Sequence, residues 1–141
     1  MRLDFTLVIG VILLVDQCTK LLASAYLNYG EPVSLLPFLS FTLLHNTGAA
    51  FSFLADAGGW QQWLFLVLAL GVSAYASWSL RDSDLCRWVQ AGFVLLIPGA
   101  IGNAIDRVAF GYVVDFVHFH WSGWSFPAFN VADASITLAA G

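Results

Sequence analysis

Charge is what this chain has least of. Of its 141 residues only 10% are Asp, Glu, Lys or Arg, while 60% are hydrophobic, and the mean hydropathy is +0.80. A soluble globular domain is about one-quarter charged and just under half apolar, so this scarcity excludes that class and assigns the chain to lipid. Only five residues are Lys or Arg. With no basic stripe a nucleic-acid partner is excluded, and a net charge of −4 says little about other partners. Cysteine is nearly absent too. Cys18 and Cys86 fall in segments assigned to opposite membrane faces, which argues against a disulfide, and neither stands at a metal-ligand spacing. Repeats, low-complexity tracts and internal boundaries are also missing, so residues 1–141 read as one integral-membrane unit.

What is present is long apolar runs. A helix needs roughly 20 mostly apolar residues to cross the hydrocarbon, and 5–27, 60–80 and 85–105 qualify. The second is flanked by Trp60 and Trp78, as interfacial anchors would be. Pro98 interrupts the third, where a missing backbone donor is expected to kink the helix. A fourth candidate, 129–141, is too short to span and reads as the first half of a crossing helix. The architecture expected is an α-helical membrane protein with four transmembrane helices, the fourth truncated. MRLD followed by an apolar run and Ala23-Ser24-Ala25 imitates a signal peptide, but Asp16 and Lys20 intervene, so this segment reads as a permanent helix.

Arg2, Arg81 and Arg87 mark cytoplasmic ends by the positive-inside rule. The N-terminus is then cytoplasmic, and segments 28–59 and 107–128 face outward. Lys20 and Arg107 lie at the outer ends of their helices and are expected in ion pairs. In the first outer segment Phe38, Leu39, Phe41, Leu43 and Leu44 mix with Ser40 and Thr42, which suggests short strands in a β-like segment lying along the outer membrane surface. HFHWSGWSFPAF in the second reads as an aromatic segment at the interface.

Ionisable residues inside membrane helices are functional candidates by default. Asp16 and Lys20 are four apart and share a helix face. Gly99, Asn103 and Asp106 line one face of the third helix, and Asn130, Asp133 and Thr137 one face of the fourth. Asp115 lies between them in GYVVDFVHF. The connectivity brings all of these to the outer end of the bundle. Two carboxylates close together in a low-dielectric site cannot both ionise freely, so one keeps a proton while the other acts as a base toward water. Plainer readings exist for several residues: Asp16 with Lys20 as a buried structural pair, Asp106 with Arg107 as an electrostatic brace, and Asn103 and Asn130 as interhelical hydrogen-bonding groups. Asp115 and Asp133 have no cation within helical reach. His45, His118 and His120 do not form a helical zinc pattern. The rival class is a small proton-coupled transport subunit using the carboxylates as relay sites.

DQCTK (Asp16 to Lys20), HNTGAAFSF (His45 to Phe53), GNAIDR (Gly102 to Arg107), VVDF (Val113 to Phe116) and FNVAD (Phe129 to Asp133) stand in the order and spacing of bacterial lipoprotein signal peptidases, the membrane aspartyl proteases also called signal peptidase type II. The resemblance covers nearly the whole chain. It implies a membrane endopeptidase that removes the signal peptide of a prolipoprotein just before a diacylglyceryl-modified cysteine. By motif, Asp115 and Asp133 would be the catalytic pair. Asn46 to Gly48, Asn103, Asp106, Arg107 and Asn130 would shape the pocket and hold the substrate backbone, with Asp16 and Lys20 as a supporting pair. The resemblance implies no cofactor and no metal, and a monomer in the bacterial inner membrane with membrane lipid around it and its site toward the outer face. It also implies a small cradle on the outer membrane surface, formed by the β-like segment, and a complete fourth helix with a short basic tail. Pro98 departs from the small residue expected there.

Overall fold

The computed structural model describes residues 2–48 and 56–141. Residues 49–53 of the HNTGAAFSF motif lie outside the described residues. The element order is α1 (Leu3–Tyr26), β1 (Val33–Leu36), β2 (Leu39–Asn46), α2 (Trp60–Ser79), α3 (Arg87–Phe110), β3 (Val113–Trp121), β4 (Trp124–Ser125) and α4 (Val131–Ala140). At a rise of about 1.5 Å per residue, α1, α2 and α3, with 24, 20 and 24 residues, are each long enough and apolar enough to cross a membrane. Their outward faces carry Leu7, Val11, Leu14, Trp63, Val67 and Leu70, all exposed. Apolar side chains left bare along a helix are what a lipid solvent permits.

Helix α3 is the common wall on which α1, α2 and α4 pack. Glycine makes the closest of these contacts possible. A Cβ on Gly99 would meet the backbone oxygen of Ala132 and the side chain of Ile136, and one on Gly102 would overlap the carboxylate of Asp16. Ser135 Oγ donates to the Leu95 carbonyl at 2.6 Å, tying α4 to α3. Pro98 is fully buried inside α3, and the helix runs on through it. One apolar cluster, Ala76, Leu80, Val94 and Ile97 with Phe5 and Ile9, fills the end of the bundle opposite the sheet.

At the other end the strands form one antiparallel sheet in the order β1-β2-β3-β4. Ala23 of α1 and Leu27 just after it pack with Leu43, Val114 and Phe116 beneath it. The register pairs Leu44 with Asp115 and Asn46 with Val113, after an irregularity between Phe41 and Leu44.

The expected strands of the first outer segment are present as β1 and β2. Two expectations need correction. The third helix does not stop at Ile105 but continues to Phe110, where Gly111 adopts φ 77°, so Arg107 belongs to the helix and not to the following connection. Its charge does not end the helix because the guanidinium reaches the Gly48 carbonyl and the Phe65 ring. The second outer segment is more than an aromatic surface strip, since its residues Val113–Trp121 form the nine-residue strand β3.

Candidate active site

Site construction begins on α1. The i, i+4 spacing stacks Lys20 over Asp16, with Nζ to Oδ2 at 2.9 Å. The same ammonium reaches Asp106 Oδ2 at 3.0 Å and Asn103 Oδ1 at 3.1 Å, so its three N–H bonds meet three acceptors. All four side chains are buried. The partner of Asp106 is therefore Lys20, and the expected brace with Arg107 is not formed. Arg107 instead donates to the Gly48 carbonyl at 3.0 Å and lies over the Phe65 ring. Its Nε is buried without a hydrogen-bond partner among the described residues. Of the two outer-end cations, Lys20 is ion-paired as expected, and Arg107 uses a carbonyl and a ring.

Backbone pairing brings the two remaining carboxylates together. Phe116 and Val117 on β3 donate to the Phe129 carbonyl at 3.1 and 2.9 Å, and Phe129 donates back to Val117 at 3.0 Å. This zips the strand carrying Asp115 to the chain that enters α4. Asn130 is not on the face of that helix, as the spacing had suggested, but is its N-cap. Its Oδ1 accepts the Asp133 N–H at 2.9 Å, the usual way a helix start satisfies an orphan donor. That bond turns the Asn130 Nδ2 toward Asp115 Oδ1 at 2.8 Å and the Val114 carbonyl at 3.1 Å. Asn103 Nδ2 donates to Asp133 Oδ1 at 2.8 Å. Asn130 thus braces Asp115 and Asn103 braces Asp133, and these two carboxamides touch at 3.4 Å. Thr137 bonds its own helix at the Asp133 carbonyl and lines the same cavity as Asp133.

Asp115 is 3% exposed. Burial, and after it the negative charge of Asp133, pushes its carboxyl from 3.8 up to about 7, against hydrogen bonds from Asn46 and Asn130 and the charge of Lys20. Asn46, at the end of β2, accepts the Gly48 N–H at 2.9 Å, which pins the start of the Asn-Thr-Gly turn beside the pair. Gln17 is a member the sequence reading passed over. Its Nε2 lies within 3.1–3.3 Å of Asp16 Oδ2, the Gly102 carbonyl and Asp106 Oδ1. Its signal was available, as an amide inside an otherwise apolar helix beside Asp16.

Asp133, Asn103 and Arg107 form the polar end of a cavity of about 1060 Å³ whose other walls are mostly apolar, with Phe65 and Leu68 from α2, Ile136 from α4, and Trp121 and Trp124 from the sheet. His118 and His120 bond Ser125 and Ser40 at 2.5 and 2.8 Å. Among the described residues no group of three His, Cys, Asp or Glu could hold a metal ion.

Lipid-facing helices that set a buried pair of neighbouring carboxylates, one of them at the head of an apolar cavity, define a membrane aspartic hydrolase. The family model described as signal peptidase (SPase) II matches residues 8–141. The lipoprotein signal peptidase of Acinetobacter baylyi (strain ATCC 33305 / BD413 / ADP1) is 52% identical over 127 residues, covering 89% of this chain and 71% of that protein. That of Shewanella woodyi (strain ATCC 51908 / MS32) is 47% identical over 131 residues, covering 92% and 74%. A bacterial membrane enzyme solved by the in meso method at 2.3 Å superposes with a TM-score of 0.85 at 30% identity, over 97% of this chain and 82% of that one. The chain belongs to the signal peptidase II family and is an aspartic peptidase. The transport alternative finds no support in these relationships.

Proposed function

We propose that this protein removes the signal peptide from diacylglyceryl-modified prolipoproteins, cutting before the lipidated cysteine, with Asp115 and Asp133 as its catalytic pair. The observation that carries this reading is the matched bracing of the two carboxylates by Asn130 and Asn103, each at 2.8 Å. The pair shares one proton. The ionised member takes a proton from water as its oxygen bonds to the scissile carbonyl carbon, and the protonated member donates to the carbonyl oxygen. When the C–N bond breaks, the proton gained from water passes to the leaving amine. Arg107, at the polar end of the cavity with its Nε unpartnered among the described residues, and Asn46 with Gly48 are the groups that hold the substrate backbone. The apolar walls suit the signal-peptide helix and the acyl chains. The enzyme works as a monomer in the inner membrane, N-terminus inside and site toward the outer face, where a lipid-anchored substrate arrives. Turnover of a diacylglyceryl-modified prolipoprotein by Asp115→Asn and Asp133→Asn variants is the decisive test.

A second expectation concerns pH. With the Asp115 carboxyl raised to about 7, the shared proton leaves as pH climbs past that value. Turnover should therefore decline on the alkaline side with a midpoint near it. The same shift has a sign for stability. The folded state holds a proton that the unfolded chain has already lost between 3.8 and about 7, so the contribution is full below that window and is lost as pH rises through it. Rates and unfolding midpoints in detergent from about pH 4 to about pH 9 check both. A rate still climbing at the alkaline limit excludes a shared proton.

A further inference from the structure

Lys20 is buried, and it is not among the side chains lining the cavity. Besides the contacts of Asp16 and Asp106 with Gln17, each of its three acceptors makes one that leads to a segment bearing Asp115 or Asp133. Asp16 Oδ1 accepts the N–H of Ala132, one residue before Asp133, at 2.8 Å. Asp106 Oδ2 accepts the N–H of Val114, one residue before Asp115, at 3.0 Å. Asn103 links Lys20 directly to the Asp133 carboxylate. An ammonium only donates, so it claims the Asn103 oxygen and leaves the amide nitrogen to face Asp133. Without that charge only the longer bond from Asn130 Nδ2, at 3.4 Å, would hold the Asn103 oxygen in this orientation, and the flipped form would set an oxygen against Asp133.

We propose that Lys20 is a positioning residue for the aspartate pair. Its ammonium locks Asp16, Asp106 and Asn103, and through two backbone N–H groups and one carboxamide these set the placement of Asp115 and Asp133. The proposal rests on the reading of those two residues as the catalytic pair. The bland alternative is that Lys20 only neutralises two buried acids for stability. The two accounts differ over a double substitution. Lys20→Met leaves Asp16 and Asp106 facing each other without a cation. Adding Asp16→Asn removes one of those charges and still offers Ala132 an oxygen acceptor, which should restore stability without restoring the anchor on Asp106 and Asn103.

The experiment measures kcat and KM on a diacylglyceryl-modified prolipoprotein, and unfolding midpoints in the same detergent, for wild type, Lys20→Met and the double variant. A displacement of about 1 Å in reacting groups costs on the order of 100-fold, and that is the loss of kcat expected for Lys20→Met, with KM within about threefold of wild type. In the double variant the midpoint should return toward wild type while kcat stays at least about tenfold down. Recovery of kcat in step with stability overturns the proposal, as does a rise in KM at unchanged kcat. If Lys20→Met does not fold, the double variant carries the comparison. Failure of both to fold assigns Lys20 to stability alone and also overturns it. Asp115→Asn and Asp133→Asn are assayed in parallel. Both folded and inactive, they leave the underlying reading intact whatever Lys20 does, whereas turnover by either removes that reading and the proposal with it.

Discussion

Asp115→Asn and Asp133→Asn should each lower kcat by ~10³-fold or more without loss of fold. An amide has the shape of the carboxyl it replaces but can neither take the proton of the attacking water nor deliver one to the oxyanion. At Asp115 the substituted oxygen can still accept from Asn130, so the brace survives. Removing the carboxyl also removes the cost of ionising a group that burial and Asp133 hold up at about 7. The unfolding midpoint of Asp115→Asn should therefore equal or exceed that of wild type at alkaline pH. Because the pair acts as a unit, the double variant should be little worse than either single one. Turnover on a diacylglyceryl-modified prolipoprotein, read beside the unfolding midpoint, decides the matter. A folded single variant with near-wild-type turnover would remove the two-carboxylate mechanism.

The second large effect is expected away from the aspartate pair, from a single methyl group. Gly102→Ala would place its Cβ on the Asp16 carboxylate. That carboxylate cannot step aside, since Oδ2 holds Lys20 at 2.9 Å and Oδ1 holds the Ala132 N–H at 2.8 Å. Either the buried pair breaks or α1 moves off α3. Breaking a buried ion pair costs about 3–5 kcal/mol, and the methyl would also disturb the start of α4 through Ala132. Both folded yield and turnover should collapse. Gly71→Ala on α2 is the control. A Cβ there meets nothing within 4 Å, so helix propensity alone should stabilise it by up to about 1 kcal/mol. Unfolding midpoints of the two variants in one detergent make the comparison. Similar values would mean that α1 and α3 do not meet at Gly102 as described.

Several parts of the site were legible before any coordinates. Asp16, Lys20, Asn103, Asp106, Asn130 and Asp133 stand out because a polar group inside an apolar helix must be satisfied by another, and helix connectivity sends all of them to one end. Other parts were hidden. Strand β3 escaped because Val113, Val114, Asp115 and Phe116 are all buried. A strand covered on both faces loses the alternation that betrays strands. The end of α3 was misplaced because Arg107, which meets the Gly48 carbonyl and the Phe65 ring, looks in sequence like an exposed boundary charge.

Composition and spacing by themselves determined the solvent, the spanning helices, the depth at which the polar residues gather, and, through five motifs in order, the family. Tertiary structure alone decided who pairs with whom. Asp106 took Lys20 instead of its neighbour Arg107, Asn130 became a cap instead of a face residue, and one ammonium came to tie together the segments of both aspartates. The reason is physical. Helix periodicity specifies which side of a cylinder a residue occupies, but hydrogen bonds and ion pairs depend on atomic separations between elements. Those separations follow only from how α1, α3, α4 and the sheet pack.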